Sequence, residues 1–214
     1  MGIKERKERE KKERKNSILD AARKLFTKKG FAATTMDDIA AMTELSKGTL
    51  YLYFTSKEDI QFEAALKGAE ILKEKMRNAI DPSKHGRENL LAVGWEFIHF
   101  SKSHSDYFDL FLLIQSVDIS HLNIPGKKVR DYLREKSPFT LIIQLVDQGI
   151  HDGSLRGDLS VMNTATMLWS QMLGMLIVQR FKTELYEVFN VDREEILKTN
   201  FDILLYGITG KETG

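Results

Sequence analysis

Residues 17–59 read SILDAARKLFTKKGFAATTMDDIAAMTELSKGTLYLYFTSKED, and the fold is decided here. Ile18, Ala21, Ala22, Leu25 and Phe26 recur at helical spacing, with Arg23, Lys24, Lys28 and Lys29 opposite, so 17–29 reads as an amphipathic helix. Gly30 ends it, because glycine takes the backbone conformation after a helix at low cost. Thr35 followed three residues on by Asp38 is a capping box with a short acid. It opens a short helix, roughly 36–43, that turns Met36, Ile39 and Ala40 inward, with Met42 a further candidate for that face. The chain breaks at Glu44-Leu45-Ser46, and Ser46 caps a second short helix, roughly 47–53. Ser56 then caps a long helix with Glu58 and Asp59 in its first turn. Asp81-Pro82 stops that helix after about Ala79.

Three short helices, the last two joined by a tight turn, form a helix-turn-helix pattern. A helix fits the major groove of B-DNA, and the residues at its N-terminal end meet base edges. Gly48 lets the backbone come close to a duplex. Thr49, Leu50 and Tyr51 offer a hydroxyl, an apolar surface for thymine methyls and an aromatic edge. Tyr53, Lys57 and the Thr35 region at the start of the preceding helix suit phosphates. A short helix has one inward face, so Tyr51-Leu52-Tyr53-Phe54 cannot all be core; Leu52 and Phe54 are the two expected inside.

This stretch resembles the N-terminal domain of TetR-family transcriptional regulators, from SILDAARKLF through GFAATTMDDIA to SKGTLYLYFTSKED. The resemblance implies an all-α protein. Its N-terminal three-helix helix-turn-helix domain would be followed by a C-terminal helical ligand-binding and dimerisation domain. It also places Ser46, Lys47, Thr49, Leu50 and Tyr51 on groove-facing positions, around Gly48, and Thr35, Tyr53 and Lys57 on phosphate contacts. The family often has glycine where this sequence has Glu44. A non-glycine residue there adopts a left-handed conformation at about 1 kcal/mol, or the turn differs.

Outward from the motif, residues 1–16 carry eight basic and four acidic side chains. Glu8–Lys12 and Glu10–Arg14 have favourable i,i+4 spacing for a helical extension. The segment is either a solubilising tail or an arm along phosphates. Residues 1–57 hold 14 Lys/Arg against 8 Asp/Glu, a balance of +6, and the remaining residues balance at −5. A basic head on an acidic body suits a polyanion-binding module.

The body, 57–214, is helical throughout, with no strand period and no internal repeat. Helices are expected over 87–103, 107–117, 127–152 with a kink at Pro138, 161–183 and 193–208, and Pro125 marks a loop end. The last two have more apolar surface than one small body can bury, which points to a homodimer on a palindromic operator. Gly174 suits close helix approach, across a dimer interface or within one subunit. Trp95, His99, Phe100, Tyr107, Phe111, Gln115, Gln144, Trp169 and Gln171 are candidate linings of an apolar pocket for a small-molecule effector. The expected domains are therefore 1–16, 17–56 and 57–214.

Several classes are excluded. The 214 residues contain no cysteine, so disulfides, cysteine nucleophiles and thiolate metal sites are out. His99, His104, His121 and His151 lack metal-ligand spacing, and no metal or cofactor is expected. No Gly-rich phosphate loop, Gly-x-Ser-x-Gly or His-Glu-x-x-His occurs, so no enzyme is expected. No run of 18 apolar residues is present, which argues on length against a membrane span. The charged N-terminus has no apolar stretch behind it and does not read as a signal peptide. A cytoplasmic repressor released from double-stranded DNA by an apolar or amphipathic ligand is the leading reading. A helical dimeric interaction module without ligand response is the alternative.

Overall fold

The structure is a computed structural model that describes residues 2–116 and 126–209, without the side chains of residues 113–116 and 128. The expectations for Gln115, Val117, His121 and Pro125 lie outside that description. Every regular element among the described residues is a helix. The contacts divide the chain into two units, residues 1–69 with 104–130, and residues 70–103 with 131–214. The expected boundary at 56/57 thus falls inside the first unit.

In the first unit, α1 runs unbroken over Ile3–Lys29, so the basic segment and the amphipathic helix are one element. Its extension is nearly all Glu, Lys and Arg, good helix formers without an interrupting Gly or Pro. The i,i+4 pairs that close there are Arg6–Glu10 and Arg9–Glu13. Next come α2 (Met36–Met42), α3 (Lys47–Tyr51) and the start of α4 (Lys57–Asn78), and later α6 (Ser105–Ser116) and most of α7 (Gly126–Asp131). Ile18, Ala22 and Phe26 of α1 are buried with Ile39, Leu50, Phe54, Ile60, Phe62 and Phe108. Gly68 lets α4 and α6 approach closely: a Cβ there would lie 3.1 Å from the Cβ of Tyr107.

The second unit holds the end of α4 and α5 (Gly86–Ser103), then a π-helical turn (Tyr132–Lys136) and α8 (Phe139–His151). It is completed by α9 (Val161–Phe181), α10 (Thr183–Val188) and α11 (Arg193–Ile208). Helix α8 packs on both α5 and α9. The α5 contact is close enough that a Cβ on Gly86 would sit 2.3 Å from the Gly149 nitrogen. Asn89 ties the preceding loop, accepting from the Asp81 amide (2.9 Å) and donating to its carbonyl (3.0 Å).

Two expectations are corrected. The single kinked helix over 127–152 is three pieces, with Ser137 extended and Pro138 at the start of α8. Proline drives the residue before it out of the helical region, and here the helix ends there. At α9, length does not argue against a membrane span. By length and composition that helix is apolar enough to cross a bilayer, and 22% of its most apolar stretch is buried. It interleaves Thr, Ser and Gln with Leu and Met, so no uninterrupted run is needed to be that apolar.

Candidate nucleic-acid interface

The helix-turn-helix begins with a closed cap. The Thr35 amide and hydroxyl both donate to Asp38 Oδ2, at 2.7 and 2.6 Å, and the Asp38 amide donates back to Thr35 Oγ1 at 3.1 Å. Lys29 at the end of α1 pairs with the same carboxylate. The Lys29 ammonium, with the Thr35 donors, holds the Asp38 carboxyl well below the usual carboxylate range. Between α2 and α3, Glu44 takes φ 56°, the left-handed conformation foreseen for a non-glycine residue at this turn. The Leu45 amide then reaches back to the Ala40 carbonyl at 3.0 Å, closing the corner.

Helix α3 is capped by Ser46, whose Oγ accepts from the Thr49 amide at 3.1 Å and bonds the Thr49 hydroxyl at 2.8 Å. Ser46, Lys47, Gly48 and Tyr51 are exposed, and Thr49 and Tyr53 are half-buried. A Cβ at Gly48 would meet nothing nearer than Ser46 Oγ at 3.9 Å. Among the described residues nothing therefore requires glycine, which is consistent with a surface that something else must approach. Lys47 is held by both oxygens of Asp37, at 2.9 and 3.0 Å, and that carboxylate raises its pKa.

Two site expectations change. Leu50 has no exposed surface and cannot meet a thymine methyl; it is the residue that anchors α3 to the core. Leu52, expected inside, is 81% exposed, because α3 ends at Tyr51 and the chain turns outward before Phe54 re-enters the core. Lys57 is also spoken for. Its ammonium donates to the carbonyls of Phe31 (2.8 Å), Thr34 (2.9 Å) and Ala32 (3.4 Å) and lies 4.3 Å from the centre of the Phe31 ring. A lysine has three donors, and here they fasten α4 to the α1–α2 loop rather than facing outward.

The second unit contains a separate apolar cavity of about 50 Å³ among α4, α5, α8, α9 and α11. Phe97, Trp169, Met172, Phe201 and Leu204 are among its walls, and no wall residue is charged. The Phe97 and Trp169 rings stack 5.4 Å apart. Gly94 admits Phe201, since a Cβ there would lie 2.6 Å from that ring. Of the nine residues expected to line a pocket, Trp169 is on this wall, and Trp95 packs against it through Phe201 at 4.9 Å. Phe100 and Phe111 are core, while His99, Gln144 and Gln171 are exposed. Tyr107 belongs to the first unit and donates to Asp20. The other walls, Met76, Val93 and Phe201 among them, carry no polar signal that separates them from ordinary core. No cluster of metal-ligating side chains occurs among the described residues.

The capped α2, the left-handed turn and the short α3 with exposed polar residues define the class: a helix-turn-helix DNA-binding protein on an all-helical frame. Residues 18–64 match the family described as bacterial regulatory proteins, tetR family. The uncharacterized HTH-type transcriptional regulator YhgD of Bacillus subtilis (strain 168) is 30% identical over 146 residues, 67% of this chain and 73% of that one. The HTH-type transcriptional repressor KstR2 of Rhodococcus jostii (strain RHA1) is 31% identical over 153 residues, 69% and 71% of the two chains. The solved structure of the fatty acid degradation regulator FadR from Bacillus halodurans shares the fold, with a TM-score of 0.66 at 19% identity over 89% of this chain and 94% of that one. The chain belongs to the TetR family of bacterial transcriptional regulators.

Proposed function

We propose that this regulator is a cytoplasmic homodimeric repressor that binds a palindromic operator and leaves it when an apolar or amphipathic small molecule enters the second unit. Ser46, Lys47, Gly48, Thr49 and Tyr51 read the groove, and Thr35 and Tyr53 meet phosphates. Leu50 and Lys57 act from beneath, by fixing α3 and the start of α4. The observation that carries the reading is the cavity whose walls include the second-unit end of α4, at Met76. Helix α4 is continuous and begins in the unit that holds α3. A ligand that prefers a widened cavity would then bias one helix shared by both units. The relation to a relative named as a repressor supports the direction of control.

At about 50 Å³ the cavity is well short of the 300–1,000 Å³ typical of ligand sites, so occupancy requires it to expand. The same figure favours the second reading, a helical dimer without ligand response. Reciprocity separates the two. An operator isolated by selection from genomic fragments and a ligand found by thermal shift are titrated together and apart. Operator must weaken ligand binding by the factor by which ligand weakens operator binding, with coupling of about 1–3 kcal/mol. Trp169 fluorescence reads the ligand arm. Equal ligand affinity with and without operator rejects release by that ligand.

A further inference from the structure

The N-terminal half of α1 projects a sorted charge pattern. At about 100° per residue, Lys4, Lys7, Lys11, Arg14 and Lys15 fall within roughly a 100° arc that contains no acid. Glu5, Glu8, Glu10 and Glu13 lie outside the arc, and Glu10 and Glu13 are taken up by Arg6 and Arg9 on the other side of the helix. Lys4, Lys7, Lys11 and Arg14 pair with no carboxylate among the described residues, and all four are exposed. Lys15, at the base, pairs with Glu63 at 3.2 Å and lies 5.6 Å from the centre of the Phe54 ring. The ridge therefore leaves the head beside the segment that follows α3.

We infer that this ridge is a second DNA-binding surface, a rigid helical rail that contacts the phosphate backbone without reading bases. It rests on the DNA-binding reading above only in taking duplex DNA as the partner. Charge complementarity selects that partner. The ridge runs roughly 16 Å from Lys4 to Lys15, and one strand of a duplex carries about one charge per 3.4 Å, so it matches on the order of five phosphates. A lipid surface is the weaker match, because an interfacial helix needs an apolar face and residues 3–16 offer only Ile3. Glu10 and Glu13 are engaged by Arg6 and Arg9 and Glu8 only flanks the arc, so the ridge presents a net positive face at close approach to a polyanion.

The test uses the full chain, a random 40-base-pair duplex and a fragment selected from genomic DNA. The ridge variant carries Lys4→Gln, Lys7→Gln, Lys11→Gln and Arg14→Gln; glutamine keeps helix propensity, and circular dichroism confirms the helix. The control carries Arg6→Gln and Arg9→Gln on the other side. The ridge variant should flatten the salt dependence on the random duplex by about 0.9 per lost contact, up to roughly 3–4 units per protomer. Raising salt from about 50 to 200 mM should then cost wild type roughly a hundredfold more affinity than the variant. The control should shift the slope by less than one unit, and the ratio of selected to random affinity should be unchanged in both. Equal slopes for wild type and ridge variant, or equal flattening by the control, overturn the rail. So does preference for phosphatidylserine vesicles over duplex at equal phosphate concentration. If wild type fails to discriminate the selected fragment while the ridge effect persists, the base-reading proposal fails and the rail stands.

Discussion

Lys67 of α4 donates to Asp20 of α1 across 2.9 Å, and this one carboxylate also accepts the Tyr107 hydroxyl of α6 at 3.2 Å. Arg23, one turn on from Asp20, pairs with Asp106 of α6 and lies over the Tyr107 ring. Three helices of the DNA-binding unit are thus pinned at a polar cluster outside its apolar core.

The cluster predicts a pH signature. Burial pushes the Asp20 carboxyl up, but the Lys67 hydrogen bond and charge, with Tyr107 and Arg23, outweigh it and leave the pKa lowered. Burial pushes Lys67 down, and Asp20 and Tyr107 outweigh that in turn, leaving it raised. A depressed acid stabilises the fold above its ordinary 3.8 and loses this as pH falls through the folded value. A raised base stabilises below its ordinary 10.5 and loses this as pH rises through the folded value. Asp20→Asn should therefore lower Tm by about 1–4 °C across the plateau between those values, equivalent to about 0.5–1 kcal/mol for a partly exposed pair. The deficit should shrink at both ends. A deficit independent of pH would show that packing, not charge, is what the substitution removes.

Lys57→Ala should unseat the loop between α1 and α2 rather than remove a phosphate contact. It leaves the Phe31 and Thr34 carbonyls without their ammonium donor, a loss of about 1–3 kcal/mol. Tm should fall by several degrees, and DNA affinity should fall by a common factor on all sequences. The slope of log K against log salt should stay within about half a unit of wild type. An unchanged Tm with a slope flatter by about 0.9 would make Lys57 a phosphate ligand after all.

Much of the head is legible in the sequence because its determinants are local. The Thr35–Asp38 cap, the Ser46 cap and the strained Glu44 are each set by residues within a few positions of one another. The roles of Leu50, Leu52 and Lys57 were misplaced for a related reason. Five residues make too short a helix for periodicity to assign faces, and the carbonyls that hold Lys57 lie 23–26 residues away. In the body, the helix at 193–208 is read correctly from its apolar repeat. The cavity is not, because its walls have the same residue types as solid core and differ only in tertiary arrangement. Polar residues on α5, α8 and α9 point instead to His99, Gln144 and Gln171, which are exposed.

The Asp37–Lys47 pair makes Lys47 a restrained cation rather than a free one. If Lys47 contacts DNA as proposed, DNA must exchange the Asp37 carboxylate for a phosphate or a base edge, which weakens net attraction. Asp37→Asn should therefore steepen the salt dependence by up to about 0.9 and raise affinity for random duplex several-fold at low salt. The cost to α2 is small, about 0.5 kcal/mol for one acid lost from a first turn. An unaltered salt slope would place Lys47 outside the DNA contact.

The exposed apolar residues of α9 and α11 carry the last prediction. Met167 is 42% exposed, Ile203 64% and Tyr206 84%, and on an isolated chain such side chains leave large apolar area in water. In the proposed homodimer a second copy would cover these side chains with two-fold symmetry, each α9 and α11 meeting their counterparts in a four-helix interface. The hydropathy of α9 alone would equally suit a bilayer, but Asn163, Thr166, Ser170 and Gln171 are exposed along the same helix, and polar groups are costly in hydrocarbon. Each of these groups can be satisfied by a partner helix or by water at an interface rim. Met167→Lys with Ile203→Lys should convert a dimer to a monomer at micromolar concentration by light scattering, with helix content retained. The variant should also lose most of its affinity for a two-half-site operator while keeping weak, salt-sensitive binding to random duplex, since each head still carries its own phosphate contacts. A wild-type chain that is monomeric under those conditions, or a variant that remains dimeric, would move the interface elsewhere.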